Sequence, residues 1–218
     1  MAHIEGTRSV APEMNNKDMR EHVRRDRTEL LELLESLTPD DWETPSLCAG
    51  WAVRDVVPHL VAYDQFDPSI AWHFVRSGFS VDRVNVRTAA AWRRKSIDAL
   101  LARLRANVVP GGITRLIGWH VALQDIVVHQ QDVRRPLGRL RSIPAERVIA
   151  VLECLVDPPS LSGVQNRSGG LRLEATDIGW SWGDGALVAG AGEAIMMGLA
   201  GRQSVLEELT GPGVSQLR

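Results

Sequence analysis

The sequence predicts a mainly helical protein, in which a four-helix bundle is followed by a small α+β domain. Before residue 135, apolar residues recur every three or four positions in several segments, which is typical of amphipathic helices. Short connections join these segments and favour a bundle. After residue 170, apolar and polar residues alternate, which is typical of strands.

The first helix of the bundle is predicted from about Lys17 to Leu37. Its apolar stripe consists of Val23, Leu30, Leu34 and Leu37. The preceding residues show no periodicity, and we expect residues 1–17 to be a disordered leader or a cloning remnant. Acidic residues interleave the basic run at positions 24–27, so this run is predicted to be a solvated helix face and not a nucleic-acid-binding patch.

A second helix follows the turn-rich segment that ends at Gly50 and Trp51. Its apolar residues are Val53, Val56, Val57, Leu60 and Val61. His59 lies among these residues, so its side chain is predicted to point inward. Pro58 removes one backbone hydrogen bond directly before His59 and is predicted to kink the helix, which would change the direction of the imidazole.

The next predicted helices begin at proline or serine residues that favour helix starts. The Asp67-Pro68 pair can start a short helix that runs through Val75. Ser80 can cap a helix over residues 81–93, and Ser96 can cap a continuation of it. The apolar residues of that continuation repeat at helical spacing, which is typical of a helix that faces a core.

The last helix of the bundle is predicted to start near Ile117, after a Pro-Gly-Gly break at residues 110–112, and to stop at Pro136. It carries Asp125 and His129, and their spacing places them about 40° apart around the helix axis and about 6 Å apart along it. A carboxylate and an imidazole so arranged can hold a divalent metal in a helical bundle. The alternative is a partly buried ion pair.

Helix and strand patterns are mixed beyond residue 138. Pro144 can open a helix that ends near Leu155, and a loop rich in proline and serine follows it. Alternating residues predict strands at 171–175 and 180–182, and the Gly-Asp-Gly sequence at 183–185 predicts a hairpin. These elements predict a small antiparallel sheet accompanied by helices, which is an α+β arrangement.

The predicted elements divide the chain into three parts. Residues 1–17 are the leader, residues 18–156 form the helical bundle, and residues 157–218 form the small α+β domain. Within the bundle, His59 joins Asp125 and His129 as a third inward donor from a second helix. Three protein ligands leave one coordination position open, and an open position is typical of a reactive metal site rather than a structural one.

Two sequence motifs in the bundle carry a family resemblance. The first is Cys48-x-Gly-Trp-x-Val-x-Asp-Val-Val-x-His59-Leu, and the second is Asp125-Ile-x-Val-His129-x-x-Asp132-x-Arg-Arg-Pro-Leu-Gly138. Both resemble motifs of the mycothiol-dependent maleylpyruvate isomerase family, whose metal-binding domain is a DinB-like four-helix bundle. Residues 171–185 and 188–202 resemble the small C-terminal domain of that family. The resemblance covers nearly the whole chain from about residue 18.

The resemblance implies a divalent-metal-dependent enzyme that uses the thiolate of mycothiol as cosubstrate. Such an enzyme would be an isomerase or a thiol transferase that acts on a small electrophilic or unsaturated substrate. The ligand set of His59, Asp125 and His129 suits zinc, with nickel as the second choice. The other function that the same bundle could serve is non-catalytic binding of a metal or a small ligand, because a fold does not fix a function.

One departure from the family concerns the carboxylate ligand. The family usually has glutamate where this chain has Asp125. The aspartate arm is one methylene shorter, so we expect the ion to lie closer to the helix and to be bound by one carboxylate oxygen. Asp132, three residues after His129, is near enough in a helix to orient that imidazole, or else to pair with Arg135.

Other polar side chains are weaker candidates for the site. Arg134 and Arg135 could clamp a substrate carboxylate, although basic residues at a helix end are also ordinary C-terminal caps. Cys48 could be a nucleophile, but a small thiol buried in a turn is the simpler interpretation. His120 lies about 140° around the helix from Asp125 and is not expected to share its face. His73 is expected to be a surface or core histidine.

Composition excludes several classes of function. The chain has 25 Lys and Arg against 27 Asp and Glu, for a net charge of −2, which argues against general binding to nucleic acid or a membrane surface. The chain has no secretory or membrane-spanning apolar segment, so a cytoplasmic monomer or homodimer is expected. Nearly all the positive charge is arginine, which suggests a GC-rich genome and agrees with an actinobacterial family.

Overall fold

The computed structural model describes residues 14–62, 64, 83, 90–158 and 165–218. The predicted short helix from Asp67 to Val75 lies outside the described residues, as do His73 and most of the helix predicted over 81–93. Of the predicted leader, only the last residues are described. Among these, Asn16 and Lys17 are helical, so the first helix starts slightly earlier than the predicted boundary.

The described helices of the first half of the chain include those predicted from Lys17, after Trp51, after Ser96 and near Ile117, and two short helices besides, one of which starts at Gly112 inside the predicted break. They are α1 (Asn16–Glu35), α2 (Pro39–Glu43), α3 (Val53–Leu60), α4 (Ile97–Ala106), α5 (Gly112–Ile117) and α6 (Trp119–Arg134). Local sequence signals explain the helix starts. The Asn15 side chain accepts hydrogen bonds from the first amides of α1, and the predicted cap Ser96 accepts one from the amide of Ala99 at the start of α4.

Four of these helices form the predicted bundle. Helix α1 packs against α4 and α6, and α3 also packs against α4 and α6, so α1 and α3 lie on opposite corners. Of the predicted stripe, Val23, Leu30 and Leu34 are fully buried, whereas Leu37 lies beyond the end of α1 and is partly buried. Burial of such side chains supplies the main stabilisation of a bundle.

A buried arginine joins three segments of this bundle. The guanidinium of Arg27, which is 1% exposed, pairs with the carboxylate of Asp64. It also donates hydrogen bonds to the backbone carbonyls of Leu60 at 2.7 Å and Asn107 at 2.6 Å. A buried charge is tolerated only when it is paired and hydrogen-bonded. Arg27 therefore fixes the ends of α3 and α4 against α1.

The second half of the chain contains helices and a small sheet. Its elements are α7 (Ala145–Val156), β1 (Leu171–Ala175), β2 (Trp180–Trp182), β3 (Ala186–Gly190), α8 (Gly192–Leu199) and two 3₁₀ helices (Gln203–Glu208 and Pro212–Leu217). Helix α8 packs against α7, β1 and β3. The prediction of a mainly helical protein with a small α+β part after the bundle is confirmed.

The sheet is mixed, and the prediction of an antiparallel sheet was wrong in this respect. The strand order is β2-β1-β3; β1 is antiparallel to β2, with Leu173 opposite Trp182, but parallel to β3, with Leu173 opposite Val188. The turn at residues 176–179 makes the hairpin. The Gly-Asp-Gly sequence at 183–185 instead carries the chain from β2 to β3, past the N-terminal end of β1.

Glycine is required where the chain crosses β1. A Cβ atom on Gly185 would lie 2.0 Å from the carbonyl oxygen of Gly170, and one on Gly183 would lie 2.2 Å from that of Leu171. No side chain fits at such distances. The two glycines are therefore required by a close backbone approach and not by a hairpin turn. A Gly-Asp-Gly sequence is compatible with either arrangement.

The described part of the chain divides into two compact units, one within residues 15–141 and one within residues 142–218. Helix α7 packs against α8 of the second unit, and the predicted domain boundary after residue 156 stays a prediction. No helix among the described residues is long and apolar enough to cross a membrane.

Candidate metal centre

The three predicted ligands meet between helices α3 and α6. The Oδ1 atom of Asp125 lies 3.3 Å from Nε2 of His59 and 3.3 Å from Nε2 of His129. The two imidazole rings are nearly perpendicular, with an angle of 77° and a centroid distance of 4.7 Å. The carboxylate therefore lies between two ring nitrogens that come from different helices.

The donor atoms are close enough to share one ion. One ligand atom from each of His59, Asp125 and His129 can be chosen so that all three lie within 4.8 Å of one another. Two imidazole nitrogens and a carboxylate oxygen are a donor set that zinc accepts. The His59 and His129 side chains are 13% and 11% exposed, whereas Asp125 is 31% exposed, so the cluster reaches solvent on the carboxylate side.

Neighbouring groups in the cluster shift the pKa values of Asp125 and His129 in directions that favour their charged forms. Burial tends to raise the pKa of Asp125, but the charge of His59 and hydrogen bonds from both histidines outweigh it and hold this pKa well below its usual value. Burial tends to lower the pKa of His129, but Cys48, Asp125 and Asp132 together raise it well above its usual value. In the metal-free chain Asp125 and His129 thus form an ion pair, and a divalent cation can replace the proton on Nε2 of His129.

The far edge of the His129 ring is held by two further side chains. Its Nδ1 atom lies 2.8 Å from Oδ2 of Asp132, so the predicted contact with Asp132 is present. The Sγ atom of Cys48 lies 3.1 Å from the same Oδ2 and 3.5 Å from Nδ1. By contrast, Nδ1 of His59 is buried and has no hydrogen-bond partner in the part of the chain that the structure describes.

The loop before α3 brings Cys48 to this position. Residues 45 and 52 form an isolated antiparallel bridge, and the amide of Ser46 donates to the carbonyl of Trp51 at 2.8 Å. Gly50 has a φ of 76°, a value that glycine adopts without strain. The amide of Leu47 donates to the backbone carbonyl of Asp132 at 3.1 Å, which anchors the loop to α6.

The same loop also positions His59. The Asp55 carboxylate accepts a hydrogen bond from the amide of Ala52 at 3.0 Å, which caps the start of α3. The indole of Trp51 packs edgewise on the His59 ring at a centroid distance of 5.4 Å. Pro58 is buried two residues before the end of α3, so the hydrogen bond that it removes belongs to the last turn.

The two arginines proposed for substrate binding lie at the end of α6. The guanidinium of Arg134 donates to the side chain of Gln130 at 2.8 Å and to the carbonyl of Glu29 at 3.3 Å. Glu29 lies in α1, so Arg134 joins α6 to α1, and neither of these contacts is to a terminal carbonyl of α6 as a helix cap would require. The backbone amide of Arg135 donates to Gln131 as the helix ends. A role of either arginine in substrate binding stays a prediction.

The other histidine of α6 and the cysteine occupy different faces from the ligand cluster. His120 is exposed and has no part in the group of possible ligands formed by described residues. Cys48 contacts the Nδ1 edge of His129, whereas Asp125 contacts its Nε2 edge. Sequence reasoning missed this contact, because the two residues are 81 positions apart and only the shared family motif linked Cys48 to the site.

Comparison with known proteins gives a family. A family model described as the mycothiol maleylpyruvate isomerase N-terminal domain matches residues 23–134, which include the complete ligand cluster. Among curated proteins, none matches this chain. A crystal structure of the mycothiol-dependent maleylpyruvate isomerase is similar with a TM-score of 0.47 and 14% identity, over 91% of this chain and 93% of that chain. A histidine-to-alanine mutant of that enzyme gives a TM-score of 0.47 and 13% identity over the same shares.

Proposed function

Because the chain belongs to the mycothiol maleylpyruvate isomerase family, we propose that it is a divalent-metal-dependent enzyme with mycothiol as cosubstrate. The observation that supports this proposal most directly is the position of Asp125, whose Oδ1 lies 3.3 Å from Nε2 of both His59 and His129. The substrate would be a small electrophilic or unsaturated molecule, and the reaction an isomerisation or a thiol transfer.

In this proposal the three side chains hold the ion and leave one position open. His59 and His129 would bind through Nε2, and Asp125 would bind through one oxygen because its arm is short. A divalent ion held in this way is a Lewis acid that lowers the pKa of a thiol in its open position. Zinc fits two nitrogen donors and one oxygen donor, and nickel is the second choice.

The residues around the ligands would determine from which side the thiol and the substrate reach the ion, and which nitrogen of His129 binds it. The two histidines are largely buried and Asp125 is the more exposed ligand, so thiol and substrate would approach from the Asp125 side. Asp132 would keep a proton on Nδ1 of His129, which leaves the Nε2 lone pair for the ion. Arg134 and Arg135 are the proposed partners of a substrate carboxylate. The proposed enzyme is cytoplasmic and is a monomer or homodimer.

The decisive experiment is a thiol-conjugation and isomerisation assay with mycothiol. The purified protein would be depleted of metal, reloaded with zinc or nickel, and incubated with a panel of small unsaturated acids and other electrophiles. The proposal requires turnover that depends on both metal and mycothiol, and that is lost in His59→Ala but not in His120→Ala. Turnover that is equal with and without metal would contradict it.

The second candidate is a protein that binds a metal or a small ligand without catalysis. It is favoured by the direct contacts of Asp125 with both histidines, since these contacts can hold the three side chains together without any reaction. The same assay separates the two functions. Stoichiometric metal binding together with no metal-dependent turnover of any electrophile would support the binding protein over the enzyme.

A further inference from the structure

We propose that Cys48 is a positioning residue of the metal centre, acting on the ion through Asp132 and His129. This inference rests on the proposed function, because it concerns how the ligand His129 is held. Its thiol would donate a hydrogen bond to Oδ2 of Asp132, and Nδ1–H of His129 would donate to the same oxygen. The shared oxygen then fixes the ring so that its Nε2 atom faces Asp125 and His59.

Three distances support this arrangement. The Sγ atom of Cys48 lies 3.1 Å from Oδ2 of Asp132, Nδ1 of His129 lies 2.8 Å from that oxygen, and Sγ lies 3.5 Å from Nδ1. The Asp132 carboxylate oxygen can only accept, so the hydrogen of the short contact comes from the Cys48 thiol. Cys48 is thereby a hydrogen-bond donor and not a nucleophile.

The hydrogen bond from Cys48 matters because the carboxylate that accepts it, that of Asp132, is buried. Asp132 is fully buried, and a buried carboxylate needs donors from the protein because water cannot supply them. The neighbouring residue Leu47 binds the backbone carbonyl of Asp132 at 3.1 Å, so residues 47 and 48 hold Asp132 by its main chain and its side chain. The turn before α3 thus sets the side-chain angle of a residue in α6.

The two histidine ligands are held differently. The Nδ1 atom of His129 has the Asp132 carboxylate, whereas the buried Nδ1 atom of His59 has no hydrogen-bond partner within the described part of the chain. A ligand imidazole is normally oriented by an acceptor on its other nitrogen. His129 is therefore the fixed ligand of the pair, and a change behind it is expected to reach the ion.

A competing arrangement uses the same atoms. Donor atoms of Cys48, His129 and Asp132 also lie within 4.8 Å of one another and could bind an ion directly. In that case the sulfur would be a deprotonated ligand, and His129 would turn its Nδ1 atom to the ion. Cobalt(II) distinguishes the two arrangements, because a cobalt–thiolate bond gives an intense charge-transfer absorption that nitrogen and oxygen ligands do not give.

The test is cobalt(II) binding to the full-length protein, followed by absorption spectroscopy, in the wild type, Cys48→Ser and Cys48→Ala. Serine keeps a donor at this position and alanine removes it. Changes to groups that orient a metal ligand weaken metal binding by about 10–100-fold. We expect Cys48→Ala to weaken cobalt binding by about tenfold, at the lower end of that range, and Cys48→Ser to restore most of the loss.

Cys154→Ala is the matched control, because it removes the other cysteine, which is buried and whose pKa burial raises to about 11. It should bind cobalt like the wild type. A thiolate-to-cobalt band in the wild type would overturn the inference, as would equal binding by wild type and Cys48→Ala, or equal weakening by serine and alanine. If the wild type binds no divalent metal at all, the proposed function falls as well, so the two failures are distinguishable.

Discussion

Asp125 and His59 come from different helices, yet a carboxylate oxygen of the first lies 3.3 Å from the Nε2 atom of the second. The same oxygen lies 3.3 Å from Nε2 of His129, one turn further along α6. Without metal, Asp125 contacts both imidazoles directly, whereas in the proposed function the three side chains hold one ion. The predictions below separate these states and test the fold that supports them.

The first prediction concerns pH and the metal-free protein. The pKa of His129 is raised above its ordinary value of 6.5, so the stability that its proton supplies is fully present below about pH 6.5 and is lost as pH rises through the raised pKa. The pKa of Asp125 is lowered from 3.8, so its contribution is present above that pH and is lost only in stronger acid. We therefore expect the thermal unfolding temperature of the metal-free protein to decrease as the pH is raised above neutral.

Zinc should reverse this trend, because the ion replaces the imidazole protons and binds more tightly as the ligands deprotonate. Thermal unfolding followed by circular dichroism over a range of pH checks both trends, the metal-free one in the presence of a chelator and the other in excess zinc. The Asp125→Asn variant is the control, since it removes one of the groups that raise the pKa of His129 and should make the metal-free profile shallower. A metal-free midpoint that rises steadily from pH 6.5 to alkaline pH would contradict this assignment.

The second prediction concerns the buried pair of Arg27 and Asp64. Arg27→Met leaves a buried carboxylate without its counter-charge, and leaves two backbone carbonyls without their donor. Removing one partner of a buried ion pair costs about 3–5 kcal/mol of unfolding free energy. Urea denaturation measures this loss.

A matched control lies on the same helix. Arg24 pairs with Glu21 on the surface, where both side chains are nearly half exposed. The same substitution, Arg24→Met, should change stability little, because exposed ion pairs are screened by water and salt. Equal effects of the two variants would show that Arg27 does not join the helices as the structure indicates.

The third prediction concerns the crossing over β1. A Cβ atom on Gly185 would lie 2.0 Å from the carbonyl oxygen of Gly170, so Gly185→Ala forces backbone to move. Overpacking of this kind costs about 1–3 kcal/mol and occasionally more. Gly169→Ala is the control, since a Cβ atom there meets nothing within 4 Å. If the two variants unfold at the same temperature, β3 does not lie parallel to β1 with this connection.

Local patterns sufficed to predict the helices and part of the site. The N-terminal cap at Ser96 and the apolar stripe of α1 as far as Leu34 follow from short-range rules, and both are confirmed. The proximity of Asp125 and His129 follows from helix geometry alone. The resemblance to the isomerase family, which the motifs around His59 and Asp125 carried, is confirmed by the family match.

Contacts between distant segments could not be predicted from local patterns. Cys48 and Asp132 are 84 positions apart, and no local rule links a turn cysteine to a helix carboxylate. The parallel pairing of β1 and β3 was missed for a similar reason. A Gly-Asp-Gly sequence is typical of a hairpin, and only the approach of Gly185 to Gly170 shows that these glycines permit a crossing instead.

The measurement that tests the central claim most directly is the metal content of the purified protein after equilibrium dialysis against zinc. The account predicts one bound ion per chain in the wild type and in His120→Ala, whose imidazole is exposed and outside the cluster. It predicts no stoichiometric ion in His59→Ala or His129→Ala, because two remaining ligands do not hold zinc tightly. Full metal content in His129→Ala, or loss of metal in His120→Ala alone, would contradict the account.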